Sequence, residues 1–409
     1  MDKPSSDQLF EQSTPGHIDV PVTPASLTPT ALDRQRSRRT IRWGVLSFFF
    51  IQGLGFASWA SRIPDIKKAL SLSDAGLGSV LFALPAGSIL GLPFAGFLVT
   101  RFGSKSIATI AATLYALTLV AIGFSSTTWQ LVMGLLVFGT TGNLVNIAIN
   151  TQAIGVEELY KKSIMASFHG AWSLAGFTGA AIGGAMVSAG IIPGYHFLAV
   201  AAISLITVIV AQQFLLRAKG SGGDHPLFVF PDGPLLRLGV IGFCGMACEG
   251  AMFDWSGVYF QNVVMAPAAL VTLGYVIFMC AMAAGRFTGD WLVNHIGRKR
   301  MIQMSGVLIT LGLSASVAFP YLVPATMGFL LVGFGVSSVV PLIYGAAGKS
   351  ETLSPGMALA AVSTISFFGF LFGPPVIGFI AEAANLRYSY GLIAVLGMCT
   401  AVLAGKAKL

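Results

Sequence analysis

Twelve stretches of about 20 residues carry almost no charge, and no other feature limits the folds open to this chain so severely. A helix needs roughly 20 apolar residues to cross a hydrocarbon core ~30 Å thick. The runs lie near 41–61, 75–99, 106–125, 129–155, 164–190, 193–216, 235–263, 267–292, 301–320, 323–347, 356–383 and 386–405. They are continuous, whereas a membrane barrel shows ~10-residue segments of alternating polarity. Inside lipid a helix satisfies its own backbone groups. The expected fold is therefore an all-α membrane protein with twelve transmembrane helices, arranged as two sets of six.

Charged residues make up only 10% of the chain and apolar residues 55%, against roughly 25% charged in a soluble domain. The net charge of +8 does not imply nucleic acid, because of where the 24 Lys and Arg residues fall. Nineteen lie in the tails or in loops on one side: Lys3, Arg34, Arg36, Arg38, Arg39, Arg42, Arg101, Lys105, Lys161, Lys162, Arg217, Lys219, Arg237, Arg298, Lys299, Arg300, Lys349, Lys406 and Lys408. The other side holds Arg62, Lys67, Lys68 and Arg387, and Arg286 sits inside a span. The positive-inside rule then places both termini in the cytoplasm of a multi-pass protein of the cell inner membrane.

Residues 1–40 are polar and rich in Ser, Thr and Pro, and a disordered cytoplasmic tail is expected there. Ser37, Arg38 and Arg39 before an apolar run imitate a twin-arginine export signal, but eleven further spans argue against cleavage. A first bundle is expected over 41–216, a Gly- and Pro-containing cytoplasmic linker over 217–234 and a second bundle over 235–409. Cys244, Cys248, Cys280 and Cys399 all fall in spans and read as small packing residues, with neither a disulfide framework nor a metal site implied. No cofactor is called for, and a monomer is expected.

The halves echo one another 194 positions apart, Gly91 matching Gly285, Leu98 Leu292, Val99 Val293, Gly103 Gly297 and Lys105 Lys299. Each copy closes the second span of its half with a glycine-marked basic turn, in which glycine permits a tight reversal and the cations sit at a phosphate layer. The first copy comprises Gly96, Thr100, Arg101, Gly103 and Lys105; the second Asp290, Asn294, His295, Gly297, Arg298 and Lys299. This pair of turns, with the twelve spans, resembles the major facilitator superfamily (MFS) over about 41–405. The loop pattern of that family carries an Asp where Thr100 and Asn294 stand here. The resemblance implies two pseudo-symmetric six-helix bundles that move about a midplane site. The stretches Ser61 to Lys67, His169 to Ser173 and Asp254 to Ser256 are similar to the YbjJ-like inner-membrane branch of the family.

Small residues four apart, Gly87 and Gly91, Gly179 and Gly183, Gly285 and Gly289, let facing helices approach closely. Gly373, Pro374 and Pro375 are expected to bend or break the eleventh span. Arg286 and Asp290, four apart near the inner end of the eighth span, are expected to neutralise one another as a structural or gating pair.

Polar residues inside the spans point to chemistry. Glu249 and Asp254 lie in the seventh span, where an ionised carboxylate costs several kcal/mol without a partner or water. A carboxyl whose exposure changes as a cavity opens can take up and release a proton, so both are candidates for proton coupling. His169 is a third, since imidazole ordinarily titrates near neutrality. Asn143, Asn146 and Asn150 share one helical face in the fourth span and can bond a hydroxylated solute or knit helices. Trp172, Trp255 and Tyr259 suit the wall of a polar organic site, although an interfacial aromatic belt has the same composition. Gln52, Ser337 and Tyr344 fall on helices that, by the resemblance, border the central cavity.

The function expected is secondary active transport of a small polar organic solute, sugar-like, by alternating access and with proton coupling. Proton-driven efflux of drug-like amphiphiles is the alternative that the many Phe and Met side chains support. A non-transporting receptor or scaffold is the alternative of a different class. An enzyme built on Glu249, Asp254 and His169 is not expected, because no nucleophile or metal-ligand set joins them.

Overall fold

A computed structural model describes residues 37–160, 164–217, 232–347, 350, 353 and 355–407; within these segments a few side chains, among them Pro93, Thr100, Ala166 and Asp290, are left out. The expected tail over 1–40 and the expected linker over 217–234 lie almost wholly outside the described residues. Those residues form α1 (Arg38–Ser61), α2 (Ile63–Ala69), α3 (Asp74–Leu81), α4 (Ala83–Phe102), α5 (Ser104–Gly123), α6 (Thr128–Tyr160) and α7 (Met165–Ser188). There follow α8 (Pro193–Ala211), α9 (Gly233–Asn262), α10 (Leu273–Ile296), α11 (Arg298–Ala318), α12 (Leu322–Ala347), α13 (Pro355–Ala383) and α14 (Leu386–Lys406). Twelve helical segments are long and apolar enough to cross a membrane, and their limits follow the apolar runs to within a few residues.

Local chemistry sets the ends. Asp232 accepts from the Leu235 amide at the start of α9, and the Asn385 side chain accepts from the amides of Arg387 and Tyr388 at the start of α14. Gly103 and Gly297 both adopt φ +83°, which an L side chain rarely takes, and each turns one helix straight into the next. The duplicated basic turn is thus the same backbone device used twice.

The second span is interrupted at Phe82, between α3 and α4. Pro85 has no N–H to give the Leu81 carbonyl, so the hydrogen-bond ladder loses a rung there. In the eleventh span the reverse holds. Pro374 and Pro375 lie inside one continuous helix, so the expected break does not occur. The α3 backbone packs directly onto this stretch, with Gly78 against Pro374, Pro375 and Gly378, and supports it from the side.

The two halves repeat one packing scheme. In the first, α1 packs on α7 and α8, α4 on α6, and α5 on α6 and α8. In the second, α9 packs on α13 and α14, α10 on α12, and α11 on α12 and α14. Glycine makes the α4–α6 crossing close, since a Cβ at Gly87 would run into the Leu136 backbone and one at Gly139 into that of Leu84. An aromatic stack of Tyr259, Phe329 and Tyr390 fills the second bundle, with ring centroids 4.4–5.7 Å apart.

Contacts between the halves favour one end. At the end opposite the termini, α3 lies along α13, Gly257 meets Pro64, the Phe56 and Phe253 rings are 5.0 Å apart, and Ser188 Oγ donates to the Ala269 carbonyl. A second seam, α7 on α10, runs from Gly184 and Thr272 down to Gly170 and Phe287. Among the described residues the α3–α13 seam has no counterpart of similar extent between α4 and α13, so the halves part toward the basic, terminus-bearing end.

Candidate functional site

The side chains brought together between the halves come from helices of both. The centre is Arg286 of α10. Its Nη1 donates to Ser173 Oγ on α7 at 2.8 Å, and its Nη2 lies 3.4 Å from Glu249 Oε1 on α9. Its guanidinium carbon stands 5.8 Å from the centre of the Trp172 ring. One arginine thus joins the seventh and eighth spans of the second half to the fifth span of the first. Glu249 is buried, and the Arg286 side chain is 22% exposed. Placing the pair there costs desolvation, which the attraction offsets only in part.

Around this pair the expected residues take unequal places. His169 is exposed, edge-on to Phe49 at 5.5 Å, and close enough to Arg286 to feel its charge. Trp172 leans on Phe56 at 6.1 Å. Gln52 is buried; its amide donates to the Gly142 carbonyl at 2.9 Å while its own Oε1 has no donor. Asn143, Asn146 and Asn150 lie on the side of α6 turned from the exposed apolar Met133 and Val137; Asn143 and Asn150 are half-buried and Asn146 is exposed. Asn143 Oδ1 is buried without a donor, and Asn150 Nδ2 donates to the Asn146 carbonyl at 2.8 Å. Tyr344 lies between Ser366 and Glu249 and is partly exposed.

Three expected contacts are placed elsewhere. Tyr259 is fully buried in the second bundle and donates to the Ser316 carbonyl at 2.8 Å. Trp255 is equally buried. Ser337 bonds the Phe334 carbonyl and fills the contact at Gly285, where α10 crosses α12. Tyr259 and Ser337 are packing groups, because the helix face each occupies meets a neighbour of the same half, and the Trp255 indole N–H is buried without an acceptor. Asp254 is 6% exposed and makes no hydrogen bond or ion pair with a described residue.

Among the gating candidates, Gly103 and Gly297 form the turns described above. Arg101 lies over Phe97 and Phe102, Gly96 and Lys299 are exposed, Lys105 is partly buried, and Arg298 reaches Gly345 at the end of α12. The Asp290 side chain lies outside the described residues, and the partner seen for Arg286 is Glu249. Spacing of four residues suggested the local pair; the longer-range partner was invisible until α9 and α10 were side by side. The phenylalanines at the centre were also missed, since Phe56, Phe253, Phe278 and Phe370 cluster through contacts far apart in sequence.

With this geometry in view, the comparisons are specific. The profile of the Major Facilitator Superfamily matches residues 45–351. The chain belongs to that superfamily. It is 34% identical over 348 residues to an uncharacterised MFS-type transporter of Yersinia pestis, covering 85% of this chain and 91% of that one. It is 33% identical over 358 residues to the membrane protein MosC of Rhizobium meliloti, covering 86% of each. A bacterial homologue of the human lysosomal transporter Spinster, solved inward-facing and unoccupied, has the same fold: TM-score 0.71 at 14% identity, covering 90% of this chain and 97% of that one. This MFS chain is a multi-pass membrane transporter and not an enzyme.

Proposed function

We propose that this transporter moves a small polar, sugar-like organic solute by alternating access between its two six-helix halves, coupled to protons through Glu249. The halves run over 41–216 and 235–409. The observation that carries the reading is the Glu249–Arg286–Ser173 chain, because it spans both halves. Glu249 and Arg286 both belong to the second half, and the bond that crosses to the first is Arg286 to Ser173; protonating Glu249 takes the counter-ion from Arg286 and so alters the group that makes the crossing bond. A proton is thereby linked to the relative position of the halves. The closed seam at one end and the parting at the other support a two-state cycle. The charge asymmetry of the loops supports an inner-membrane protein with both termini cytoplasmic, so this state is open to the cytoplasm.

Asn143, Asn146, Gln52 and Tyr344 supply polar contacts for the solute in this reading, and the exposure of His169 beside Arg286 supports it as a proton acceptor from water. The test is accumulation in proteoliposomes under an imposed pH gradient, with single carbon compounds as solutes. Glu249→Gln is expected to abolish uphill accumulation while exchange at equal concentrations persists. Full accumulation by that variant removes the coupling role.

A further inference from the structure

We infer that Arg286 is a docking cation and that the solute taken at this site is a hydroxylated organic acid bearing one carboxylate. This deepens the transport reading above and rests on it. A guanidinium has five N–H donors in a planar fork. Here Nη1 has Ser173 and Nη2 has Glu249, at 3.4 Å against the about 2.7–2.9 Å of a charge-assisted bond, and Nε is buried with no acceptor. A strut arginine is closed in a bidentate pair. This one has a hydroxyl and a single, loose carboxylate oxygen, is 22% exposed, and lies beside an indole that can underlie a sugar ring.

The groups beside it match the rest of such a molecule. Gln52 Oε1 and Asn143 Oδ1 are buried acceptors without donors, and Gln52 bonds the residue next to Asn143. Gly53, next to Gln52, abuts the carbonyl of Trp172, so the helix that carries Gln52 packs on the helix that Arg286 bonds through Ser173. Two acceptors need hydroxyl donors; one half-used fork needs an anion.

Among the described side chains, the charged and titratable groups facing Arg286 are Glu249 on α9 and His169 on α7, with Tyr344 of α12 beyond Glu249. An amine would seek Asp254 instead, which is buried and has no hydrogen bond or ion pair to a described residue of the first half. A carboxylate on Arg286 touches both halves and takes the place of protonated Glu249 as counter-ion. One proton and one monoanion then cross together with no net charge moved.

The experiment compares matched pyranoses on the purified full-length protein: glucuronate and galacturonate, glucose, and glucosamine, read by thermal shift, with gluconate and sorbitol as the open-chain pair. The acids are expected to raise Tm and their neutral and amino counterparts to leave it unchanged. Affinity for the acids should fall at least about tenfold in Arg286→Gln, be partly kept in Arg286→Lys, and survive in Glu249→Gln. Equal shifts from glucose or glucosamine, acid affinity untouched in Arg286→Gln, or no shift from any of the six overturns the inference. The charge series on the unaltered protein keeps the test valid if Arg286→Gln misfolds. Proton-driven accumulation of a neutral sugar that the acids do not inhibit sinks this inference and leaves the transport reading standing. Arg286-dependent acid binding without flux in proteoliposomes does the opposite.

Discussion

Individual residues in the spans divide by whether their partner lies in the same half. Tyr259 donates to Ser316 inside one bundle, so Tyr259→Phe is expected to cost about 1 kcal/mol of stability, seen as a lower Tm, with transport retained. Asp254 has no hydrogen bond or ion pair among the described residues, and an unpaired buried carboxyl is a cost to the fold. Asp254→Asn is therefore expected to raise Tm and to keep gradient-driven accumulation; loss of accumulation with an unchanged Tm would make Asp254 a second proton carrier. Asn146→Leu with Asn150→Leu should weaken solute binding without unfolding, and unchanged affinity in a titration would return both amides to packing. The sequence exposed these polar residues because each is an anomaly in an apolar run. It did not rank them, since burial cost is the same on every face of a helix until neighbours are known.

Helices were legible to within a few residues because length and apolarity are properties of the chain itself. Their interruptions were not. The second span is interrupted just before Pro85, whereas Pro341, Pro374 and Pro375 lie inside continuous helices, so proline alone does not decide where a span breaks. The two turn glycines act locally, through backbone conformation at a single residue. Gly103→Ala and Gly297→Ala should each cost about 1 kcal/mol, as L residues are strained at φ +83°. Circular dichroism melts of the two variants check this, and equal stability to the parent would remove the strain argument.

At the scale of the whole molecule the halves share a packing scheme and meet more fully at one end. The seam between α3 and α13 brings Gly78 within 3.0 Å of Gly378, measured from an ideal Cβ on the former to the Cα of the latter. In a variant whose four native cysteines are replaced, Ala75→Cys with Glu382→Cys, at the contact where the Glu382 side chain meets the Ala75 amide, is expected to cross-link with a short reducible reagent and to stop accumulation until reduced. Transport at full rate while cross-linked would show that this seam need not open. Glu382 adds to the closed end by accepting from the Ala75 amide at the start of α3, a contact between residues 307 apart.

The chain by itself determined its solvent, the number and limits of its spans, the duplicated turn and the side bearing positive charge. These follow from hydropathy, length and local backbone strain, all of which act over a few tens of residues. Only the tertiary structure decided that Arg286 faces Glu249 and Ser173, that Tyr259 and Ser337 pack within one half, and which end is shut. Helix rotation and long-range pairing fix those outcomes, and in a medium where nearly every face is apolar no periodicity in the sequence records which face turns toward which neighbour.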